Sequence, residues 1–247
     1  MKLLHWVSFE LIFSLAACSG GSSLISPQPT PKPTPTPMPT PTPTPTPTPL
    51  YQALGDSMTY GIGTTTPATQ SYPADVAAAL NIRFEDLGVP SIGTIRLPVF
   101  ELPKVSAYAT LITVMIGVND ELPIADGTES VAAMDAGLQT TVSGIRAKAP
   151  AARLLLLTPI DISRVPPSSN EYQNAVSIGL PLVHAAFEDV VQQMQSLGPI
   201  CDVGDDASYY ANPANFSAVD EFHPSVVGAE RIASDVELCL ANGVVNK

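Results

Sequence analysis

The sequence predicts a three-layer α/β/α sandwich built on a parallel, flavodoxin-like sheet of about five strands. Two observations carry this. First, from Leu50 onward short apolar runs rich in β-branched residues alternate with segments of helical periodicity. Second, the run Leu111-Ile112-Thr113-Val114-Met115-Ile116 is apolar without strict alternation. A strand reads that way when helices cover both faces of its sheet, the usual setting of parallel strands.

Taken in order, the chain begins with Met1-Lys2-Leu3-Leu4 and stays mostly apolar to Ala17, interrupted by Glu10. That is too short for a permanent bilayer span of about 20 residues. It has the layout of a secretory signal: a cationic start, an apolar centre and small residues before a cleavage point. The end of it, Leu15-Ala16-Ala17-Cys18, resembles the lipobox of bacterial lipoproteins. The resemblance implies that residues 1–18 are a lipoprotein signal ending at a lipidated Cys18, and a place in the bacterial cell envelope outside the cytoplasm.

Residues 19–49 read as a linker, Ser- and Gly-rich at first and then a near-perfect Pro-Thr repeat from Pro27 to Pro49. Proline fixes φ and lacks an N–H, so the segment can join neither helix nor sheet and is expected as extended polyproline II. At about 3.1 Å per residue it spans some tens of ångströms. The expected membrane attachment is through this N-terminal anchor alone.

Residues 50–247 form the remaining domain, roughly 200 residues and enough to bury a core without a metal. Expected strands are Tyr51–Leu54, Arg83–Leu87, Thr110–Ile116, Arg153–Thr158 and Ile200–Val203. Expected helices are Tyr72–Leu80, Ser130–Lys148, Tyr172–Leu197 and Pro224–Leu240, the last with its proline in the first turn. Residues 95–105 are ambiguous, because Pro98 and Pro103 interrupt them. An oxidising compartment makes a Cys201–Cys239 disulfide plausible, with two buried free thiols as the alternative.

The formal charge of −12, from 23 acidic against 11 basic residues, speaks against nucleic acid, which needs clustered Lys and Arg. Nothing resembles a metal site, a phosphate loop or a dinucleotide fingerprint, so no cofactor is expected. A monomer is expected.

In open parallel sheets, ligands bind beyond the carboxyl ends of the strands. After the first strand comes Gly55-Asp56-Ser57-Met58-Thr59-Tyr60-Gly61. A serine at such a turn can present its hydroxyl while helix N–H groups face a developing oxyanion. After the third strand comes Gly117-Val118-Asn119-Asp120, where Asn119 can donate its amide N–H or simply complete a turn. Near the C-terminus, Asp220 precedes His223 by three residues and can fix its tautomer. His184 sits in an apolar helical stretch, where a core or surface role is expected.

The ordered blocks Gly-Asp-Ser-x-Thr-x-Gly, Gly-x-Asn-Asp and Asp-x-x-His-Pro resemble the SGNH (GDSL) hydrolase family over about Tyr51 to Leu240. The resemblance implies a serine esterase acting on acyl esters of lipids or acetylated carbohydrates. Ser57 would be nucleophile, His223 general base and Asp220 its orienting partner. The oxyanion hole would combine the Ser57 N–H, Asn119 and a glycine N–H from a second block. Here the sequence departs from the family: direct alignment places Ser91 at that glycine, and Gly93 lies two residues on. Gly93 is favoured as the easier backbone fit, with Ser91 the alternative. Asp56 and Asp120 are expected to be structural. The stretches 163–174 and 205–219, with Tyr209, Tyr210 and Phe216, and also Phe222, are expected to line the substrate pocket. A surface glycan-binding module that has lost catalysis is the competing reading.

Overall fold

The computed structural model describes residues 48–204 and 206–242. The signal segment, Cys18 and all but the last two linker residues lie outside them. Five parallel strands form one sheet in the order β2-β1-β3-β4-β5: β1 Leu50–Gly55, β2 Arg83–Asp86, β3 Leu111–Met115, β4 Arg153–Leu157 and β5 Ile200–Cys201. The expected strands thus all form, within a residue or two at their ends. The last is shorter than expected because the N–H groups of Val203 and Gly204 turn away to the Thr158 hydroxyl, at 2.9 and 2.6 Å.

The pleat sorts the core into two layers. On one face Leu111 and Met115 pack with Tyr51, Leu155, Leu157 and Val76, under the helices Tyr72–Leu80 and Val226–Asn242. On the other, Ile112, Val114 and Ile116 pack with Leu156, Leu138 and Phe187, under Val131–Lys148 and Leu180–Leu197. The period-2 geometry of a strand sends neighbouring apolar residues to opposite helical layers. This is why the run 111–116 shows no polar positions facing water.

Three helix boundaries differ from expectation. The segment expected as one helix is two, Asn170–Ile178 and Leu180–Leu197, divided at Gly179, whose φ of 127° leaves the helical region, with Pro181 fixing the new start. The last helix begins at Val226, because Pro224 is held in a bridge to Phe216. An additional helix, Val118–Ala125, follows β3 despite Pro123 within it. Residues 95–105 resolve into a short helical turn, Leu97–Phe100, and a 3₁₀ turn, Leu102–Lys104.

Cys201, on β5, and Cys239, on the last helix, are joined by a disulfide with Cα atoms 5.9 Å apart. Among the described residues, no helix is long and apolar enough to cross a membrane.

Candidate active site

The strand order reverses between β1 and β3, and their register pairs Gly55 with Met115. Two loops therefore leave adjacent strands at the same level, which is the crevice where α/β sheets bind ligands. Gly55 is required at the first exit: with φ at 150°, a Cβ there would lie 2.0 Å from the Met115 carbonyl oxygen. The chain then turns into a single helical turn, Ser57–Tyr60, capped by Asp56, whose Oδ1 accepts from the Met58 N–H at 2.9 Å. Beneath it, Thr59, Tyr72, Thr113 and Tyr51 join in that order in a buried hydroxyl chain with links of 3.3, 3.4 and 2.8 Å. The turn carrying Ser57 is thereby tied to the centre of the sheet.

His223 comes from the far end of the chain. Its Nε2 lies 2.9 Å from Ser57 Oγ, and its Nδ1 lies 2.7 Å from Asp220 Oδ2. The other Asp220 oxygen accepts from the N–H groups of both Phe222 and His223 at 3.0 Å. Burial pushes the Asp220 carboxyl upward, but these bonds and His223 outweigh it and hold the group below the usual carboxylate range. The loop is pinned by the Ser217 N–H donating to the His223 carbonyl and by Glu221 in the left-handed region, φ 55°. Three residues 166 positions apart in sequence, at the extreme, meet in one hydrogen-bonded line.

Asn119 occupies the first turn of the helix Val118–Ala125 and faces the same cavity, with its amide donating to the Ile92 carbonyl at 2.9 Å. Ser91 also lines this cavity and adopts φ 63°. Gly93 instead packs against the Asp120 carboxylate, which a Cβ would meet at 2.8 Å. Asp120 receives the Thr94 N–H at 3.0 Å and the Thr94 hydroxyl at 2.7 Å, and it shares a hydrogen bond with Glu129. Burial raises the Asp120 carboxyl above its usual range and pushes Glu129 up to about 7. Asp56, fully buried, is pushed up to about 7 by burial, eased by its bond from Met58 and reinforced by the charge of Asp120. Both aspartates tie loop to helix.

The cavity measures about 280 Å³. Phe222 lines it, packed edge-on against the His223 ring at 4.9 Å. The expected lining by Tyr209, Tyr210 and Phe216 is corrected: these rings pack on one another at 5.4–6.2 Å, and Tyr209 is fully buried in the core. Tyr210 turns its hydroxyl to the Asp161 N–H and the Gly204 carbonyl. From the stretch 163–174 only Glu171 and Asn174 reach the cavity. His184 lies apart from it, its Nδ1 2.7 Å from the buried carboxylate of Asp161.

One residue had no signal in a linear reading, and a second was foreseen only as part of the stretch 163–174. Glu101, with no exposed surface, accepts the Gly55 N–H at 2.8 Å and so anchors the exit of β1. Glu171 brings a carboxylate to the cavity from a separate helix. Neither adjoins a recognisable block. Among the described residues no group of three or more His, Cys, Asp or Glu is placed to hold a metal ion.

Comparison with known proteins follows the same outline. The extracellular lipase of Streptomyces rimosus superposes with a TM-score of 0.56 at 20% identity, covering 77% of this chain and 99% of that one. Phospholipase A1 from Streptomyces albidoflavus NA297 gives 0.58 at 16% identity, covering 78% and 99%. A carbohydrate esterase family 2 enzyme with a carbohydrate-binding domain from Corynascus thermopiles (Myceliophthora fergusii) gives 0.51 at 18%, covering 81% and 68%. At these identities the likeness is one of fold. A sequence search of curated proteins finds no match. The class is that of a hydrolase on a five-stranded parallel α/β/α sandwich. Residues 53–231 match the GDSL-like lipase/acylhydrolase family, and the chain belongs to it.

Proposed function

We propose that this hydrolase cleaves acyl esters through an acyl-serine intermediate on Ser57. The observation that carries the reading is the line Asp220–His223–Ser57, with links of 2.7 and 2.9 Å. Ser57 Oγ attacks the ester carbonyl carbon while His223 Nε2 takes its proton. The carbonyl electron pair moves onto oxygen, and the Asp220 carboxylate stabilises the imidazolium. The tetrahedral adduct then collapses, and the leaving alcohol takes the proton from His223. In the second half His223 deprotonates water, which attacks the acyl-serine; the acid departs and Ser57 recovers its proton.

The oxyanion is held by the Ser57 N–H, by Asn119 Nδ2 and by a backbone N–H from the 91–93 loop. Asn119 has two amide hydrogens and spends one on Ile92, leaving one for substrate. For the loop donor we assign Ser91 in place of Gly93. Ser91 lines the cavity and its left-handed φ is the conformation a glycine would otherwise supply, whereas Gly93 lies against Asp120.

The substrate is an ester of a lipid or an acetylated carbohydrate, and the cavity of about 280 Å³ favours a short acyl group. We further propose that the domain, residues 50–247, is a monomer held outside the cytoplasm by acylated Cys18 through the 19–49 spacer. Nucleic acid is not a partner. Ser57→Ala is expected to fold normally and to lose at least 10³-fold in turnover of p-nitrophenyl acetate. A fluorophosphonate is expected to label Ser57, and unchanged activity in the variant or no labelling refutes the reading. Absence of labelling would favour a binding module.

A further inference from the structure

Glu171 projects from the first turn of the helix Asn170–Ile178, an element separate from the loops that carry Ser57, Asn119 and His223. It lines the catalytic cavity, and its Oε2 is buried without a hydrogen-bond partner. Native structures leave few buried polar atoms unpaired, because each forfeits its hydration without recovering a bond. Oε2 is covered by surrounding protein, so a bound donor meets it once the carboxylate turns about its terminal torsion towards the cavity that Glu171 lines. Asn174 stands three residues on, hence on the same helix face, and also lines the cavity. The rest of the wall near this helix is apolar, with Leu122, Pro123 and Ile162, and no Lys or Arg lines the cavity to neutralise Glu171 internally.

We propose that Glu171 and Asn174 select the alcohol part of the ester by binding neighbouring hydroxyl groups, so that the substrate is the short-chain ester of a polyhydroxylated alcohol. The inference rests on the assignment of Ser57 as nucleophile. A carboxylate accepts from two O–H groups, and an amide both donates and accepts, which together match a pair of adjacent hydroxyls. The alternative partner, a quaternary ammonium paired by charge alone, calls for aromatic faces around it. Phe222 is the single aromatic residue of the lining, and it is engaged edge-on with His223. Specificity built this way is strong, since a substrate lacking the hydroxyls leaves the carboxylate unpaired in the complex.

The experiment compares kcat/KM of the full chain on five acetyl esters: ethyl, p-nitrophenyl, glycerol, hexose and choline. Wild type, Glu171→Gln, Glu171→Ala and Asn174→Ala are assayed side by side, and fluorophosphonate labelling of Ser57 reports that each variant keeps its site. Wild type is expected to prefer the glycerol or hexose ester over the ethyl ester. Glu171→Ala is expected to lower that preference about 10- to 100-fold, chiefly through KM, with Glu171→Gln intermediate and Asn174→Ala about threefold or more. Which polyol suffers the greater loss separates a glycerol-based from a sugar-based substrate. A preference unchanged within twofold overturns the inference, as does a larger loss on the choline ester. Wild type inert towards all five esters and unlabelled at Ser57 overturns the proposed function itself. Hydrolysis of the ethyl and p-nitrophenyl esters with an unchanged polyol preference overturns only the role of Glu171.

Discussion

Replacing Glu101 with Gln separates its charge from its hydrogen bond. Glu101 is fully buried; its Oε2 accepts the Gly55 N–H at 2.8 Å, and its Oε1 has no partner. Burial is the main cause that pushes its carboxyl from 4.5 up to about 8; the Gly55 bond works against this and the charge of Asp56 adds to it. Between those two values the folded protein holds a proton that the unfolded chain releases, so stability falls as pH rises. The contribution is whole below about pH 4.5 and is lost by the time pH has passed about 8. At about 1.4 kcal/mol per pH unit, the window corresponds to roughly 5 kcal/mol. Gln keeps a carbonyl oxygen for Gly55 and cannot ionise. The unfolding free energy of wild type minus that of Glu101→Gln is therefore expected to drop by roughly 5 kcal/mol from pH 4 to pH 9. The single Trp lies at position 6, outside the domain, so urea unfolding is best followed by circular dichroism at several pH values. A difference that stays constant within about 1 kcal/mol across the series would refute the reasoning.

Other outcomes follow from the same geometry. Asn119→Ala is expected to lower kcat by about 10²- to 10³-fold with little change in KM if, as proposed, its amide donates to the oxyanion; a change confined to KM would contradict that role. Ser91→Gly keeps the backbone N–H and eases φ 63°, so its activity is expected within about threefold of wild type, whereas Ser91→Ile, β-branched in the left-handed region, loses both stability and turnover. Gly93→Ala forces the Asp120 carboxylate to move and is expected to cost about 1–3 kcal/mol in denaturation. Removing the Cys201–Cys239 bridge frees a 38-residue separation, for which chain entropy gives about 4 kcal/mol, measured as the shift in urea midpoint on replacing both with Ala. Cys18→Ser is expected to move the protein from the membrane to the soluble fraction.

Much of the candidate site was legible because a hydrogen-bonded Asp–His–Ser line demands residue types in fixed local settings. Ser57 follows a glycine that alone tolerates the approach of the Met115 carbonyl, and Asp220 must sit three residues before His223 for its carboxylate to reach both the ring and the backbone. Such constraints act over a few residues and leave a local trace. The aromatic residues of 205–219 were misplaced because a linear reading sees their size and loop setting but not which side faces inward; packing among Tyr209, Tyr210 and Phe216 decided that. The helix Val118–Ala125 was hidden by Pro123, whose cost is outweighed by the contacts of Val118 and Leu122 with the core.

By itself the sequence determined the fold class, the strand order of events along the chain and the three blocks that bear Ser57, Asn119 and His223, since apolar periodicity and local backbone demands are written residue by residue. Tertiary structure alone decided which of Ser91 and Gly93 faces the cavity, that Glu101 anchors Gly55, and that Glu171 brings a carboxylate with one unpaired oxygen to the candidate site. Those relations join segments tens of residues apart, and only burial, which prices every unpartnered polar atom, makes them meaningful.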